Sequence, residues 1–322
     1  MSDQTYYIGL DLGDALIKSA LVNSGGEILE IEQRDTPHDG APVWEVAAAV
    51  ANDLQSKAVA QGCQVVALGA GIPGVVNPQT RRVESSPALP ALEGIDLLSY
   101  LASTTQLPVV LEQSANAAAY GEFICGAARG MQNVIFIDLG PDISAGLILE
   151  GNLYRGQLGS ASGFGHMTVN PDGWECTCGN VGCLETIASG TNLVRRTTDR
   201  LFHDRSSSLS SLALPGRGEL TPQRIAMEAL NGDDFALMML ERTGKWVGMA
   251  VASVINLLNL DMVVMAGSVM VAGDLLLRSV IKEVQARALK IPRAHCRIVS
   301  STLGGQAGFI GAAMRARDSI QS

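Results

Sequence analysis

Tyr7-Ile8-Gly9-Leu10-Asp11-Leu12-Gly13 and Val134-Ile135-Phe136-Ile137-Asp138-Leu139-Gly140 carry one pattern twice, 127 residues apart. Each is a short apolar run that closes on Asp-Leu-Gly. Each is followed by a second run of small and apolar residues, Ser19-Ala20-Leu21-Val22 and Gly146-Leu147-Ile148-Leu149, and then by a glycine turn. Short apolar runs bounded by turn residues read as buried strands. Self-similarity at a fixed offset fixes architecture before any single element does. The expectation is an α/β chain of two halves, each opening strand, Asp-x-Gly turn, strand.

A turn that puts a carboxylate and a glycine at a strand end turns backbone N–H groups toward an anion. Two such turns facing each other across a cleft would grip a nucleotide's phosphates, beyond the carboxyl ends of the strands. That is the actin-like ATPase and sugar-kinase (ribonuclease H-like) design. On this reading residues 1–114 form a small N-terminal domain, with a last helix at 306–322 packing back on it. Residues 115–305 form the larger domain.

Working outward, strands are expected at 17–22, 28–32, 65–69, 262–265 and 296–299. Helices are expected at 43–61, 115–128, 235–258, 273–289 and 306–317. The Ser-, Gly- and Arg-rich stretch 203–218 reads as a mobile loop. The 322 residues suit two domains with cores of their own. Hydrophobic residues are 47%, while the charged 17% falls below the usual ~25%, so long disorder and coiled coils are disfavoured. A net charge of −9 without a basic stripe argues against direct nucleic-acid binding. No apolar run of membrane-spanning length and no secretory leader pattern is seen, so a cytoplasmic protein is expected.

Cys176-Thr177-Cys178-Gly179-Asn180-Val181-Gly182-Cys183, with His166 ten residues upstream, is the sharpest chemical signal. Three thiolates and one imidazole at this spacing match a closed tetrahedral structural zinc. Gly179 and Gly182 allow the tight fold that brings three sulfurs together. Cys63, Cys125 and Cys296 lack spaced partners and read as core residues. His38, His203 and His295 read as ordinary surface or loop residues.

With these motifs in view, the chain resembles the ROK family (repressors, open reading frames and kinases) over essentially its whole length. The resemblance is carried by Ile8–Gly13, Gly71-Ile72-Pro73-Gly74, Leu107-Pro108-Val109, Ala115–Glu122, Leu153-Tyr154-Arg155-Gly156, Gly165-His166 and the run Cys176–Gly190. It implies a sugar-kinase fold, a zinc in the larger domain and a homodimer. It also implies either ATP-dependent phosphorylation of hexoses or sugar-responsive repression through a helix-turn-helix, for which no N-terminal extension is seen.

The departures from the family pattern are as informative. The family's Glu-Asn-Asp-Ala-Asn is Glu112-Gln113-Ser114-Ala115-Asn116 here, so Ser114 stands where the family has its catalytic Asp. Losing a general base costs roughly 10²–10⁴ in rate. The first phosphate turn, with Asp11 and Gly13, continues as Asp14-Ala15 instead of Gly-Thr. The second reads Gly140-Pro141-Asp142, where Pro141 removes a backbone donor. The adenosine-side glycines become Ala266-Gly267-Ser268. On the sugar side Ala88 replaces an Asn and Gly163 a Glu, leaving His166 and Glu185 as the retained substrate-binding positions.

These changes argue against ATP and Mg²⁺ as cofactors. The main expectation is therefore a catalytically silent protein that binds a small sugar-like ligand or a protein partner. One alternative is an active ATP-dependent sugar kinase with Glu112 as a displaced base, since residues two apart on a strand share a face. Another is a sugar-responsive regulator acting through a separate DNA-binding chain.

Overall fold

The computed structural model describes residues 5–38, 41–201, 206–212 and 219–321. In chain order the first elements are β1 (Thr5–Leu12), β2 (Leu16–Asn23), β3 (Ile28–Asp35), α1 (Val43–Ala60), β4 (Gln64–Ile72), β5 (Val75–Val76), β6 (Val83–Ser85), α2 (Leu97–Thr105), β7 (Val109–Gln113) and α3 (Ser114–Cys125). There follow β8 (Val134–Leu139), β9 (Ile143–Leu149), β10 (Asn152–Leu153), α4 (Glu185–Ala188), α5 (Gly190–Leu201), α6 (Pro222–Leu230) and α7 (Asp234–Leu258). The chain ends with β11 (Met262–Ala266), α8 (Asp274–Arg287), α9 (Lys290–His295), β12 (Arg297–Ser300) and α10 (Ala307–Gln321).

The internal repeat is written into the sheets. One has strand order β3-β2-β1-β4-β7 and the other β10-β9-β8-β11-β12. In the first, β2 lies antiparallel between β1 and β3, and β4 and β7 continue parallel to β1. In the second, β10 is antiparallel to β9, while β11 and β12 run parallel to β8.

Two compact units are resolved. The first takes in the chain up to Gln132, Gly146–Ser162 and the chain from Thr302; the second comprises Asn133–Ala145 and Gly163–Ser301. The sequence put the domain boundary at residue 114, whereas the compact first unit runs on through α3. The reason is packing. Gly121 and Gly311 let α3 and α10 touch backbone to backbone, and a Cβ at Gly311 would land on the Ala117 carbonyl oxygen.

In the first unit α1 buries Val43, Ala47, Val50, Ala51, Leu54 and Ala58 in a core with Ile8, Leu10, Leu21 and Leu68. On β1 and β4, a Cβ at Gly9 or Gly69 would strike the carbonyl of Phe309 or Ala312, so α10 lies directly on the strands. In the second unit β11 is buried at every position. Asp233 caps α7 by accepting from the Ala236 N–H at 2.9 Å, and Asn259, with φ of 50°, ends it.

The expected helices all form, with ends shifted by a few residues; α8 begins after Gly273, whose φ of 53° suits a glycine. Helices α2, α4, α5, α6 and α9 were not expected. Within the stretch 203–218, Ser208–Ser211 forms a short 3-10 helix, and 203–205 and 213–218 lie outside the described residues. Among the described residues, no helix is long and apolar enough to cross a membrane.

Candidate functional site

In the first unit the strand register sets Asp11, Gly71 and Glu112 side by side across β1, β4 and β7. Ser114, the first residue of α3, follows directly. A Cβ built on Gly71 would lie 3.2 Å from Asp11 Oδ1 and 3.4 Å from Ser114 Oγ, so carboxyl and hydroxyl converge over that glycine. Burial pushes the Asp11 carboxyl up; the Ser114 hydroxyl and the Lys18 charge pull it part of the way back. Ser114 Oγ sits there without a well-formed hydrogen bond.

The turn after Asp11 uses its own groups. The Gly13 N–H donates to the Leu16 carbonyl at 3.0 Å, and the Thr36 hydroxyl donates to the Gly13 carbonyl at 2.7 Å. Asp14 is exposed.

Glu112 has a different place from the one expected of a displaced base. It is 4% exposed. Its Oε2 accepts from Arg155 Nε at 2.9 Å and Nη2 at 2.5 Å, and its Oε1 accepts from the Asn116 amide at 3.2 Å. Arg315 Nε adds a second cation 3.8 Å away. Both carboxylate oxygens are engaged, which corrects the assignment of Glu112 as a free base. Neither Arg155 nor Arg315 is among the residues singled out from the sequence for a role; Arg155 lies only within a matching segment.

In the second unit Asp138, Gly140 and Gly267 come together. A Cβ on Gly267, whose φ is 100°, would strike the Asp138 carboxyl and the Leu139 carbonyl, so the backbone there requires glycine. The turn is braced from behind: the Gly190 N–H donates to the Gly140 carbonyl at 2.7 Å, and the Thr191 N–H to the Pro141 carbonyl at 3.3 Å. Asp142 is exposed. Glu185 Oε2 accepts from the Ile143 N–H at 3.2 Å. A Cβ on Gly165 would be 3.2 Å from the same oxygen, which places Glu185 beside the residue preceding His166. Gly163 is exposed with nothing within 4 Å of a would-be Cβ.

The ligand atoms of His166, Cys176, Cys178 and Cys183 all lie within 4.8 Å of one another. His166 Nδ1 is 3.6 Å from Cys176 Sγ, and the Cys178 and Cys183 sulfurs are 3.7 Å apart. Zinc–sulfur bonds of about 2.3 Å in a tetrahedron imply sulfur–sulfur edges of about 3.8 Å. The donor set and its spacing therefore fit a closed four-coordinate metal. Burial, with the neighbouring Cys178 thiol, pushes Cys183 up to about 12 in the absence of a cation. Cys63, Cys125 and Cys296 are half-buried thiols, and Cys63 packs against the core of the first unit. His38 and His295 are exposed, and His203 lies outside the described residues.

The profile of the ROK family matches residues 7–319. The chain belongs to the ROK family. A glucokinase of Halalkalibacterium halodurans is 33% identical over 314 residues, covering 97% of this chain and 94% of that protein. A ROK glucokinase of Streptomyces griseus, solved with glucose and AMPPNP, superposes with a TM-score of 0.84 at 31% identity, covering 97% of this chain and 99% of that one. A ROK transcriptional regulator, a homologue of the E. coli MLC protein, reaches 0.87 at 26% identity, over 97% of this chain and 77% of that one. The fold is the actin-like ATPase fold of the ROK sugar kinases.

Proposed function

We propose that this ROK protein is an ATP-dependent sugar kinase of the glucokinase type that works without a carboxylate base and therefore turns over slowly. The observation that carries the reading is the similarity to glucokinases along nearly the full length of both chains. It outweighs the expectation of a silent protein, which rested on single positions. Phosphoryl transfer asks the protein mainly for positioning and charge stabilisation, so a missing base lowers the rate without abolishing the reaction. Kinases turn over at about 1–100 s⁻¹, and loss of a base divides that by about 10²–10⁴, giving roughly 10⁻⁴–1 s⁻¹.

In this reading the Asp11 and Gly13 turn of the first unit, and the Asp138, Gly140 and Gly267 turn of the second, each take up nucleotide phosphate through backbone held close by glycine. His166 and Glu185 hold sugar hydroxyls. The Cys176, Cys178, Cys183 and His166 cluster holds a structural zinc that stiffens the segment carrying the sugar-side histidine. With Nδ1 turned to the cluster, the imidazole's other nitrogen is left for the substrate. A silent sugar-binding protein is the second reading, favoured by Ser114 together with the engagement of Glu112.

The test is a coupled assay with Mg-ATP and a panel of hexoses and N-acetylhexosamines, on the native chain and on Ser114→Asp. The kinase reading expects slow native turnover and a gain of about 10²–10⁴ in the variant. A native chain at blank level beside an active variant selects the silent reading. Absence of turnover in both, with Mg-ATP and glucose bound, rejects the kinase reading.

A further inference from the structure

The first unit contains a cavity of about 460 Å³ that takes in neither the Asp11 turn nor Ser114. The edge strand β7 lines it from Val109 to Glu112, and Leu98, Pro108 and Ile320 add apolar wall. Its charged lining is Arg81, Arg155, Arg315 and Glu112: three guanidiniums against one carboxylate.

That carboxylate is already spent. Glu112 is buried, and Arg155 takes one of its oxygens by two donors. Arg315 reaches it only at 3.8 Å, and Arg315 Nε is buried with no hydrogen bond. Its guanidinium lies over the Tyr120 ring, 4.9 Å from the centroid, which holds the group in place, with the Tyr120 hydroxyl and the Asp318 carboxylate nearby on the helix side. Arg81 is exposed in the β5–β6 turn at φ of 58°, a left-handed conformation that non-glycine residues seldom adopt. A cavity lined by more guanidiniums than carboxylates among apolar walls is complementary to an oxyanion on an apolar body.

We propose that this cavity binds a small organic oxyanion, a carboxylate or a phosphate monoester on a compact apolar body, with the head group on Arg315 and further positive charge from Arg155 and Arg81. The site is separate from the kinase residues and does not rest on the kinase reading.

Calorimetric titration of the full chain at low salt tests it with benzoate and phenyl phosphate, with inorganic phosphate as the head alone and benzyl alcohol as the body alone. At least one aromatic anion should bind with Kd of about 1 mM or tighter, at least about tenfold better than inorganic phosphate and benzyl alcohol. Which anion binds tells carboxylate from phosphate monoester. Arg315→Met should weaken that binding at least about tenfold. Arg81→Gln, on the exposed turn and safe for folding, should weaken it about threefold. Saturating Mg-ATP and glucose should leave it in place. No binding of either anion up to about 10 mM, binding that survives both substitutions in folded protein, or displacement by Mg-ATP or glucose would each overturn the proposal.

Discussion

Removing Arg155 should strand a buried carboxylate. Arg155→Met deletes both hydrogen bonds to Glu112 Oε2, at 2.9 and 2.5 Å. A unit charge pair about 4 Å apart is worth about 4 kcal/mol at the effective dielectric of a partly buried site. Desolvation already consumes part of that, and breaking a buried pair costs about 3–5 kcal/mol. Two features soften the loss. The Arg155 side chain is 27% exposed, and Arg315 remains 3.8 Å from the carboxylate. The expected cost is about 2–3 kcal/mol. Glu112→Gln should cost less, about 1–2 kcal/mol, because the freed guanidinium can turn toward water. The double variant should lose about 1.5–3 kcal/mol less than the sum of the singles. Trp44 is the one tryptophan in the first unit. Urea unfolding followed through it, with the other two tryptophans replaced by Phe, reads the cycle. A coupling below about 0.5 kcal/mol, the level of an exposed pair, would refute the buried clamp and return Glu112 to the candidates for a catalytic base.

Freshly purified protein should hold one zinc per chain by elemental analysis, and Cys178→Ser should lower the melting temperature by at least about 5 °C; zinc-free folded protein or an unmoved melting temperature would count against the site. Asp11 carries a pH prediction. Its burial raises the folded-state pKa against the opposing effects of Ser114 and Lys18, so the folded protein holds that proton more tightly than the unfolded chain. The stability this supplies is complete below the unfolded value of about 3.9 and is lost as pH rises through the folded value. Asp11→Asn should therefore melt near the native chain at pH 3.5 and above it at pH 7; equal melting at pH 7 would remove the argument.

The repeat was legible because each copy packs its signal into a few contiguous residues: an apolar strand, an Asp-Leu-Gly turn and a second strand. The Cys176–Cys183 cluster was legible for the same reason, with His166 close by in sequence. Helix α5 was missed because Gly190–Leu201 is mostly polar and buries only Gly190, Leu193, Thr197 and Leu201. The boundary at 114 missed the α3–α10 contact, which joins residues far apart along the chain through glycines that read in sequence only as flexible points. Glu112 was misread for the same physical reason. Strand periodicity places it on the face of Ser114, but the partner that engages it lies 43 residues on, in a loop that periodicity does not address.

The two aspartates that had argued against ATP now argue less. Asp14 and Asp142 are both exposed, so the dielectric that applies to each lies nearer water than protein. At 4 Å from a phosphate charge that costs about 1 kcal/mol apiece, rather than the roughly 4 of a partly buried site. One kcal/mol is about fivefold in Kd, a penalty that weakens a nucleotide site without closing it. The lost donor at Pro141 is offset in another way, because α5 holds the turn by the Gly140 and Pro141 carbonyls and keeps its backbone in position. Asp142→Gly should then tighten Mg-ATP binding about fivefold at low ionic strength, with the gain shrinking as salt shortens the Debye length from about 30 Å at 0.01 M to about 3 Å at 1 M. Calorimetry at those two salt concentrations measures both numbers. A gain that does not fade with salt would mean the side chain obstructs by its bulk. No gain at either concentration would mean that Asp142 does not face the phosphates, and the second turn would lose its place in the nucleotide site.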